Sequence, residues 1–408
     1  MINIFYDLFI RILDLLLFIS SFINEKNKKI LDGRKNTIKY IKKYIRSDEK
    51  LIWVHVSSVG EFEQAKPIID LIHKKKSHKI LVSYFSSSAE NEVKKYKKIN
   101  YSFYLLSDKR SNNENLFKLL KPTLIIIIKY DFWANLINTA KNKSIPIVSV
   151  SSVFRPRQIY FYKIGFFLRN ALKNINLFLV QDEKSKNLLN KININNVQVI
   201  GDTRFDRVLD IYNNFKKINS IENFINNKNT VVIGSSWRSD IKILKKEIGR
   251  DLTDTKYIIA PHNIESVEIE YIESNFINDT IRFSELPQKN VRKRILIIDN
   301  LGMLSSIYKY CKLAYIGGGF RGALHNTLEA AVWDIPVVYG SNKKNKKFIE
   351  IRKLENKNIG FPISNGNEFK LIKNRILKNR GVGKGGNSFV VKNSGATKKI
   401  NKLLSKYL

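Results

Sequence analysis

Apolar residues in this chain come in short bursts, each followed by a longer stretch whose apolar positions recur at helical spacing. The bursts Leu51–Val56, Ile80–Tyr84, Thr123–Ile128, Ile147–Val150, Leu177–Val180 and Val197–Ile200 read as strands covered on both faces, because they are too short for helices. A second series follows at Thr230–Ile233, Tyr257–Ala260, Ile295–Ile298, Leu313–Ile316 and Val337–Tyr339. Between them lie helical patterns such as Phe62, Ala65, Ile69 and Ile72. Strict alternation of this kind predicts an α/β protein with two doubly wound parallel sheets and ligands at the carboxyl ends of the strands. The expected domains are 36–212 and 228–385, joined through a polar, Asn- and Lys-rich stretch near 210–229. The segment 386–408 ends in a helix, Ala396 to Tyr407, for which the first domain is the candidate surface. GVGKGGNSF (381–389) imitates a nucleotide loop, but it follows a basic helical segment instead of a strand and reads as a flexible connection.

Residues 1–35 form a separate segment. MINIFYDLFIRILDLLLFISSFI is rich in apolar residues, yet Asn3, Asp7, Arg11 and Asp14 fall on one helical stripe. The uncharged run Leu15–Asn24 is shorter than the roughly 20 apolar residues a span requires. No basic leader with a small-residue cleavage site is recognisable. An amphipathic helix in the membrane interface, followed by Lys26, Lys28, Lys29 and Arg34, is the expectation. Packing of that helix on the protein's own core is the competing one.

Composition narrows the classes. With 408 residues and 43% hydrophobic content, the chain can bury large cores. The lone Cys311 forms no intramolecular disulfide, which fits a reducing compartment. Five scattered histidines without HExxH, and no CxxC, give no reason to expect a metal or cofactor. The net charge of +36 calls for an anionic partner or for compositional drift. Lysine, asparagine and isoleucine abound everywhere, and no RNP motif or zinc finger is present, so specific nucleic-acid binding is not expected. The charge is assigned mostly to drift and partly to an anionic membrane surface and substrate.

The densest chemistry lies in LAYIGGGFRGALHNTLEAAVWDIPVVYG, residues 313–340. It reads as strand, glycine loop (Gly317, Gly318, Gly319, Gly322), helix and strand. Adjacent glycines let backbone approach a ligand, and a helix amino terminus behind them suits a phosphate. His325, Asn326 and Glu329 are spaced so that His325 and Glu329 share a helix face, where a carboxylate can accept ribose hydroxyls. The alternative is a tight turn with a solvated glutamate. No Gly-Lys-Ser/Thr follows, and the glycine spacing is not the dinucleotide one.

In the first domain, the strand Leu51–Val56 runs into SSVGEFEQ. Ser58 and Glu61 have capping-box spacing, and on spacing alone the cap is the preferred reading of Glu61 over a general base. Asp131 lies just past another buried strand, Thr123–Ile128, where a helix cap and a catalytic acid are equally supported; Trp133 beside it offers a flat wall. Arg155 and Arg157 follow another strand as candidate anion ligands, with Arg204, and Ser235 and Ser236 in the Gly234–Ser236 turn, as further donors; Pro261-His262 after Tyr257–Ala260 is a candidate contact to a base or sugar, with satisfied packing the commoner reading of a single histidine.

Taken in order, these segments resemble the 3-deoxy-D-manno-octulosonic acid (Kdo) transferases of lipopolysaccharide synthesis, in the branch typical of Bacteroidetes-like bacteria. The carrying residues are WVHVSSVGEFEQAKPII (53–69), KYDFWAN (129–135), SSVFRPRQIYF (151–161), VQDEKS (180–185), GDTRFDRV (201–208), GSSW (234–237), IIAPHNIE (258–265), IIDNLGMLSSIYKYCKLAYIGGGF (297–320) and HNTLEAAV (325–332). The resemblance implies a GT-B glycosyltransferase: two Rossmann-like domains facing a cleft, no metal, and transfer of Kdo from CMP-Kdo to a lipid A precursor at the cytoplasmic face of the inner membrane. It makes Glu61 the general base, reversing the preference for the cap, and Asp131 a second acid. It assigns CMP-Kdo to Ser235, Ser236, Pro261, His262, Gly317, Gly318, Gly319, His325, Asn326 and Glu329. Acceptor phosphates go to Ser58, Gly60, Arg155, Arg157 and Arg204. The chain departs from the family at Asp131 (Glu), Ala134 (Pro), near Ala89 (Gly) and at Asn263 (a charged residue). Another GT-B transferase or epimerase, and a non-enzymatic basic binder, are the alternatives.

Overall fold

The computed structural model describes residues 2–286, 292–379 and 381–408. Met1 of the expected 1–35 segment, and 287–291 and Arg380 of the expected second domain, lie outside the described residues. The chain divides into two compact units, Met1–Arg207 with Ser394–Leu408, and Val208–Asn393.

The first unit is built on a parallel sheet of β1 (Leu51–Val56), β2 (Lys79–Tyr84), β3 (Tyr101–Tyr104), β4 (Leu124–Ile128), β5 (Ile147–Ser152), β6 (Leu177–Val180) and β7 (Val197–Val199). Its order is β3-β2-β1-β4-β5-β6-β7. Strand side chains alternate between faces, so each strand feeds two cores. Ile52, Val54 and Val56 pack on one side with Phe62, Ile69 and Ile72, while Leu51 and Trp53 pack on the other with Phe117 and Ile137. Burial on both faces is why these strands carry unbroken apolar runs such as LIIII in β4.

The second unit repeats the plan with β8 (Thr230–Ser236), β9 (Lys256–Pro261), β10 (Thr280–Arg282), β11 (Ile295–Ile297), β12 (Leu313–Ile316), β13 (Val337–Gly340) and β14 (Gly360–Ile363). All pairings are parallel, in the order β10-β11-β9-β8-β12-β13-β14. The order switches between β1 and β4 in the first sheet and between β8 and β12 in the second, where β10 lies outside β11 at the edge, and loops leaving the switch strands diverge to form a crevice.

The structure corrects several sequence expectations. Strands β3, β10 and β14 had no signal because they are sheet edges, short and of mixed composition, and one contains Pro362. Gly234–Ser236 is no turn: β8 runs through it, with a bulge against β9 and Ser235 at φ 52°. The boundary between units falls inside the helix Thr203–Asn213, and the polar stretch beyond it contributes a helix, Asn219–Ile225, with Ile221 and Phe224 buried. Gly386–Phe389 opens a helix, Gly386–Asn393, that buries Phe389 and Val390. The chain then re-enters the first unit, where Ala396, Ile400 and Leu404 join the core around Phe62.

The amino-terminal helix, Ile2–Ser21, is seated by polar groups. Asp14 meets Arg34 at 3.6 Å and Lys109 at 2.8 Å, and Asp7 accepts from Asn135 Nδ2 at 2.9 Å. Tyr6 and Ile10 are buried beside them, whereas Arg11 of the expected polar stripe is exposed. Phe5, Leu8, Phe9, Ile12, Leu15, Leu16, Phe18 and Ile19 all face outward. No helix among the described residues is long and apolar enough to cross a membrane.

At the opposite end of β9 from the crevice, buried Lys373 donates to Asp251 Oδ2 at 2.5 Å and to the Tyr257 hydroxyl at 3.1 Å, tying the helix Gly366–Lys378 to the sheet. Truncating one member of a buried pair strands the other charge, which costs about 3–5 kcal/mol. Lys373→Met is therefore expected to lower the unfolding free energy of the second unit by that amount in urea titration. A change near zero would mean that water reaches Asp251.

Candidate active site

In the first unit the chemistry collects where β1 and β4 end side by side. β1 leads through Ser57 into the helix Val59–Lys75, and β4 leads through Lys129, at φ 63°, to Asp131. Glu61 is 7% exposed. The expected capping box is not formed: Ser58 makes no side-chain cap bond, and Glu61 Oε2 instead accepts from the Ser57 N–H at 2.5 Å. Ser57 also donates its hydroxyl to Asp131 Oδ2 and so touches both carboxylates.

Asp131 caps no helix either. The N–H groups of Asn135 and Leu136, in the first turn of Ala134–Asn142, both donate to Asp108, each at 2.9 Å. The Ala134 N–H donates to the Tyr6 hydroxyl at 3.2 Å, and that hydroxyl donates to Asp108 Oδ2 at 2.7 Å. With capping supplied from elsewhere, Asp131 gathers donors of its own: Ser57 Oγ, His55 Nε2 at 2.7 Å and Trp133 Nε1 at 3.1 Å, all on Oδ2.

These surroundings drive the two carboxylates apart. Burial raises the pKa of Glu61, and the Asp131 charge adds to it; Lys129, the Ser57 N–H and His55 oppose without cancelling the rise. Burial pushes Asp131 upward as well, but the hydrogen bond and charge of His55, then Ser57 and Trp133, outweigh it and hold Asp131 below the ordinary value.

The remaining first-unit candidates do not converge as tightly. Arg155 and Arg157 are exposed on the loop after β5, Arg155 near enough to Tyr130 to ease its ionisation. Gly60 is exposed in the first turn of its helix. Arg204 is clasped by Asp202, Nε at 2.9 Å and Nη2 at 2.7 Å, so an anion would have to compete with a carboxylate already in place.

In the second unit β8 and β12 end side by side, as β1 and β4 do. Trp237, next after β8, stacks on His262 at 4.2 Å between centroids and donates its indole N–H to His325 Nε2 at 3.2 Å. The guanidinium of Arg321 sits 4.4 Å from the Trp237 ring centroid. Pro261 pairs with Ser236, and the His262 N–H donates to the Ser236 carbonyl at 2.8 Å. Ser235, Ser236, Pro261, His262 and His325 are thus one group.

The glycine loop is not the open anion cradle expected from sequence. The Gly317 N–H donates to the Gly234 carbonyl, and the Gly318 N–H donates to buried Asp240 at 3.0 Å, so a carboxylate of the chain already occupies that donor. Asp240 also accepts from the Trp237 N–H and the Tyr315 hydroxyl. Glycine is needed for space: a Cβ on Gly317 would lie 2.1 Å from the Ser235 carbonyl oxygen, and Gly318 adopts φ 81°. Gly319 meets the neighbouring strand in the same way, at 2.5 Å from the Gly340 carbonyl oxygen.

The helix behind the loop is a single turn, Leu328–Ala331, so His325 and Glu329 share no helical face. Asn326 Oδ1 accepts the Leu328 N–H at 3.2 Å, while Glu329 accepts from Asn326 Nδ2 at 3.2 Å and Ser305 Oγ at 2.6 Å. Asn326 and Glu329 therefore form a second, separately braced group.

Sequence reasoning passed over His55, Ser57 and Trp237, although all three lay inside the quoted motifs. A polar residue in a doubly buried strand, such as His55 in LIWVHV, was a readable signal. Nothing in the sequence distinguished Ser57 from Ser58.

A family profile described as 3-Deoxy-D-manno-octulosonic-acid transferase (kdotransferase) matches residues 33–207. The chain is 27% identical over 341 residues to the 3-deoxy-D-manno-octulosonic acid transferase of Aquifex aeolicus, covering 80% of this chain and 86% of that one. It is 24% identical over 381 residues to the Rickettsia felis enzyme of the same name, covering 90% and 80%. A bifunctional glycosyltransferase/methyltransferase of Fusobacterium nucleatum is 28% identical over 335 residues, and there the chain covers 79% of itself but only 52% of its relative. Among solved structures, UDP-GlcNAc 2-epimerase from Neisseria meningitidis bound to UDP-GlcNAc aligns with TM-score 0.59 at 13% identity, over 88% of this chain and 99% of that one. The enzyme of that name from Methanocaldococcus jannaschii aligns with TM-score 0.54 at 16% identity, over 83% and 98%. At such identities the likeness is one of fold, and the fold is GT-B.

The ring cluster yields a pH test. Burial, then the charge of His262, pushes the His325 pKa down to about 4 from 6.5. A donor-only indole on Nε2 agrees, since that nitrogen must lack a proton. A depressed folded-state value contributes stability above pH 6.5 that is lost as pH falls through about 4. The stability difference between wild type and His325→Gln, from urea midpoints, should shrink steadily across that window. A constant difference would show that His325 protonates as readily folded as unfolded.

Proposed function

We propose that this chain, which belongs to the Kdo transferase family, moves Kdo from CMP-Kdo to a hydroxyl of a lipid A precursor, with inversion at the anomeric carbon. The observation that carries this reading is the pair of carboxylates at the ends of β1 and β4, Glu61 buried and Asp131 partly buried, bridged by Ser57 and driven apart in proton affinity. Glu61, the more basic, takes the proton from the acceptor hydroxyl as that oxygen bonds to the anomeric carbon. The bond from that carbon to the phosphate oxygen breaks, and its electron pair leaves with CMP. Asp131 stays ionised throughout, and its charge helps keep Glu61 basic.

Donor recognition is assigned to the second unit. Trp237 and His262 offer a stacked ring surface for a base, with Ser235, Ser236, Pro261 and His325 around it and Asn326 and Glu329 for the ribose. Gly317–Gly319 act by letting the chain pass closely. Exposed Arg155 and Arg157, with Ser58 and Gly60, are assigned to acceptor phosphates. Arg204 is left out, since Asp202 holds it.

The helix Ile2–Ser21 is assigned to the cytoplasmic surface of an anionic membrane. Support comes from its outward apolar side chains, continued by Phe22 and Ile23 and followed by Lys26, Lys28 and Lys29.

Two outcomes check this reading. Glu61→Gln should lower transfer of Kdo to a tetraacylated lipid A precursor by roughly 10²–10⁴-fold, leaving CMP affinity by calorimetry unchanged. The acid limb of kcat/KM in the wild type should lie above the usual glutamate value of about 4.3. Near-normal turnover in the variant, or a limb at or below that value, removes Glu61 as the base. Separately, Phe5→Ser with Phe9→Ser and Leu16→Ser should abolish cosedimentation with anionic vesicles without altering the unfolding midpoint, because these side chains are exposed. Retained cosedimentation would put the membrane contact elsewhere.

A further inference from the structure

His55 lies outside the chemistry of proton removal, yet its surroundings leave its neutral ring one arrangement. It is 1% exposed, on the same face of β1 as Trp53, and its register partner on β2 is Ser83. Trp53 Nε1 and Ser83 Oγ are 2.7 Å apart, and Ser83 Oγ lies 2.9 Å from His55 Nδ1. An indole N–H only donates, so Ser83 accepts from Trp53. That hydroxyl keeps a second lone pair and its own proton, so it can donate to Nδ1 of a neutral ring or accept from Nδ1–H of a charged one. Nε2 carries a proton in either case, because it lies 2.7 Å from Asp131 Oδ2, a carboxylate that only accepts. Trp53, Ser83, His55 and Asp131 thus form one chain of hydrogen bonds, and the neutral ring within it is the Nε2–H tautomer.

We propose that His55 is a positioning residue: locked as the Nε2–H tautomer, it fixes the Asp131 carboxylate in rotamer and charge opposite Glu61. The inference rests on the transferase reading given above. Other groups face Asp131, and each is already committed in a different way. Ser57 and Trp133 donate to the same oxygen, Glu61 and Lys129 stand on the flanking helix and loop, Tyr130 adjoins in sequence, and Tyr160 approaches from beyond β5. Arg155 is an electrostatic neighbour of Tyr130. Of the donors to Asp131, His55 alone has its own orientation set by a buried chain behind it, because Ser57 is on a loop and Trp133 on Asp131's own segment. Three donors on Oδ2 fix the carboxylate plane and turn Oδ1 away from them. That oxygen is the one available to an incoming hydroxyl.

The test uses the full chain in three forms. In wild type labelled with ¹⁵N-histidine, the His55 ring, identified by its loss in His55→Gln, should show the Nε2–H tautomer at pH 8. His55→Ala should lower kcat by about 10²-fold, the usual consequence of a misplaced reacting group, with the KM for CMP-Kdo held within about twofold. His55→Gln, whose amide can still donate to Asp131, should recover activity to within about tenfold of wild type. A packing role alone would not give that rescue. If His55→Ala fails to fold, Ser83→Ala serves instead: it keeps the imidazole, removes the donor to Nδ1 and should yield mixed tautomers with reduced kcat. An Nδ1–H tautomer in the wild type, or Ala and Gln variants that are equally active or equally dead, would overturn the proposal. Wild-type protein that transfers no Kdo would instead sink the transferase reading, while the tautomer measurement still judges the geometry.

Discussion

A carboxylate taken out of water must be given donors or it will take up a proton, and much of the first unit is arranged around that constraint. Two carboxylates, Glu61 buried and Asp131 partly buried, lie within reach of one serine, and they are supplied unequally. Asp131 receives an imidazole, a hydroxyl and an indole on one oxygen. Glu61 receives one backbone N–H and faces a neighbouring charge. The inequality creates one group that stays ionised and one that binds a proton more readily, which a proton-abstracting site requires.

That division depends on structure some distance away. A helix beginning just after Asp131 needs partners for its first N–H groups, and an aspartate at that place would ordinarily supply them. Asp108 and the Tyr6 hydroxyl do so instead, and burial lifts Asp108 to a pKa of about 6 even with four donors around it. The amino-terminal helix thus has two faces with different tasks. Its inner groups, Tyr6, Asp7 and Asp14, hold the site's supporting loops, and its outer apolar residues stay exposed. A helix that buried its apolar side against the core would have served neither.

The second unit is also a seven-stranded parallel sheet, with a different strand order at one edge and different materials at its strand ends. Its glycines read as a ligand loop, yet two of their N–H groups are consumed inside the chain, one by a carbonyl and one by Asp240. The loop's contribution is steric: without side chains at Gly317 and Gly319, the chain can press against β8 and β13. Rings collect over the end of β8, where Trp237 stacks on exposed His262 and reaches His325, and burial of His325, then the charge of His262, favours its neutral form.

Central strands were legible in the sequence because burial on both faces demands unbroken apolar runs, as in Leu51–Val56, Leu124–Ile128 and Leu313–Ile316. Those runs, alternating with helical patterns, determined the two parallel sheets and the strand ends where chemistry would gather, Glu61 and Asp131 among it. The edge strands β3, β10 and β14 escaped because they are short and mixed in composition, whereas β7, also an edge, was legible in the run Val197–Ile200. Local spacing also misassigned partners: Ser58 and Glu61 had the intervals of a cap, and His325 and Glu329 those of a helix face. Only the tertiary structure decided which donor each polar group meets. Hydrogen bonds such as His55 to Asp131 and Tyr6 to Asp108 join residues 76 and 102 positions apart, and no local pattern encodes them. Sequence periodicity reports what must avoid water, whereas the pairing of polar groups is settled by which strand ends the topology brings side by side.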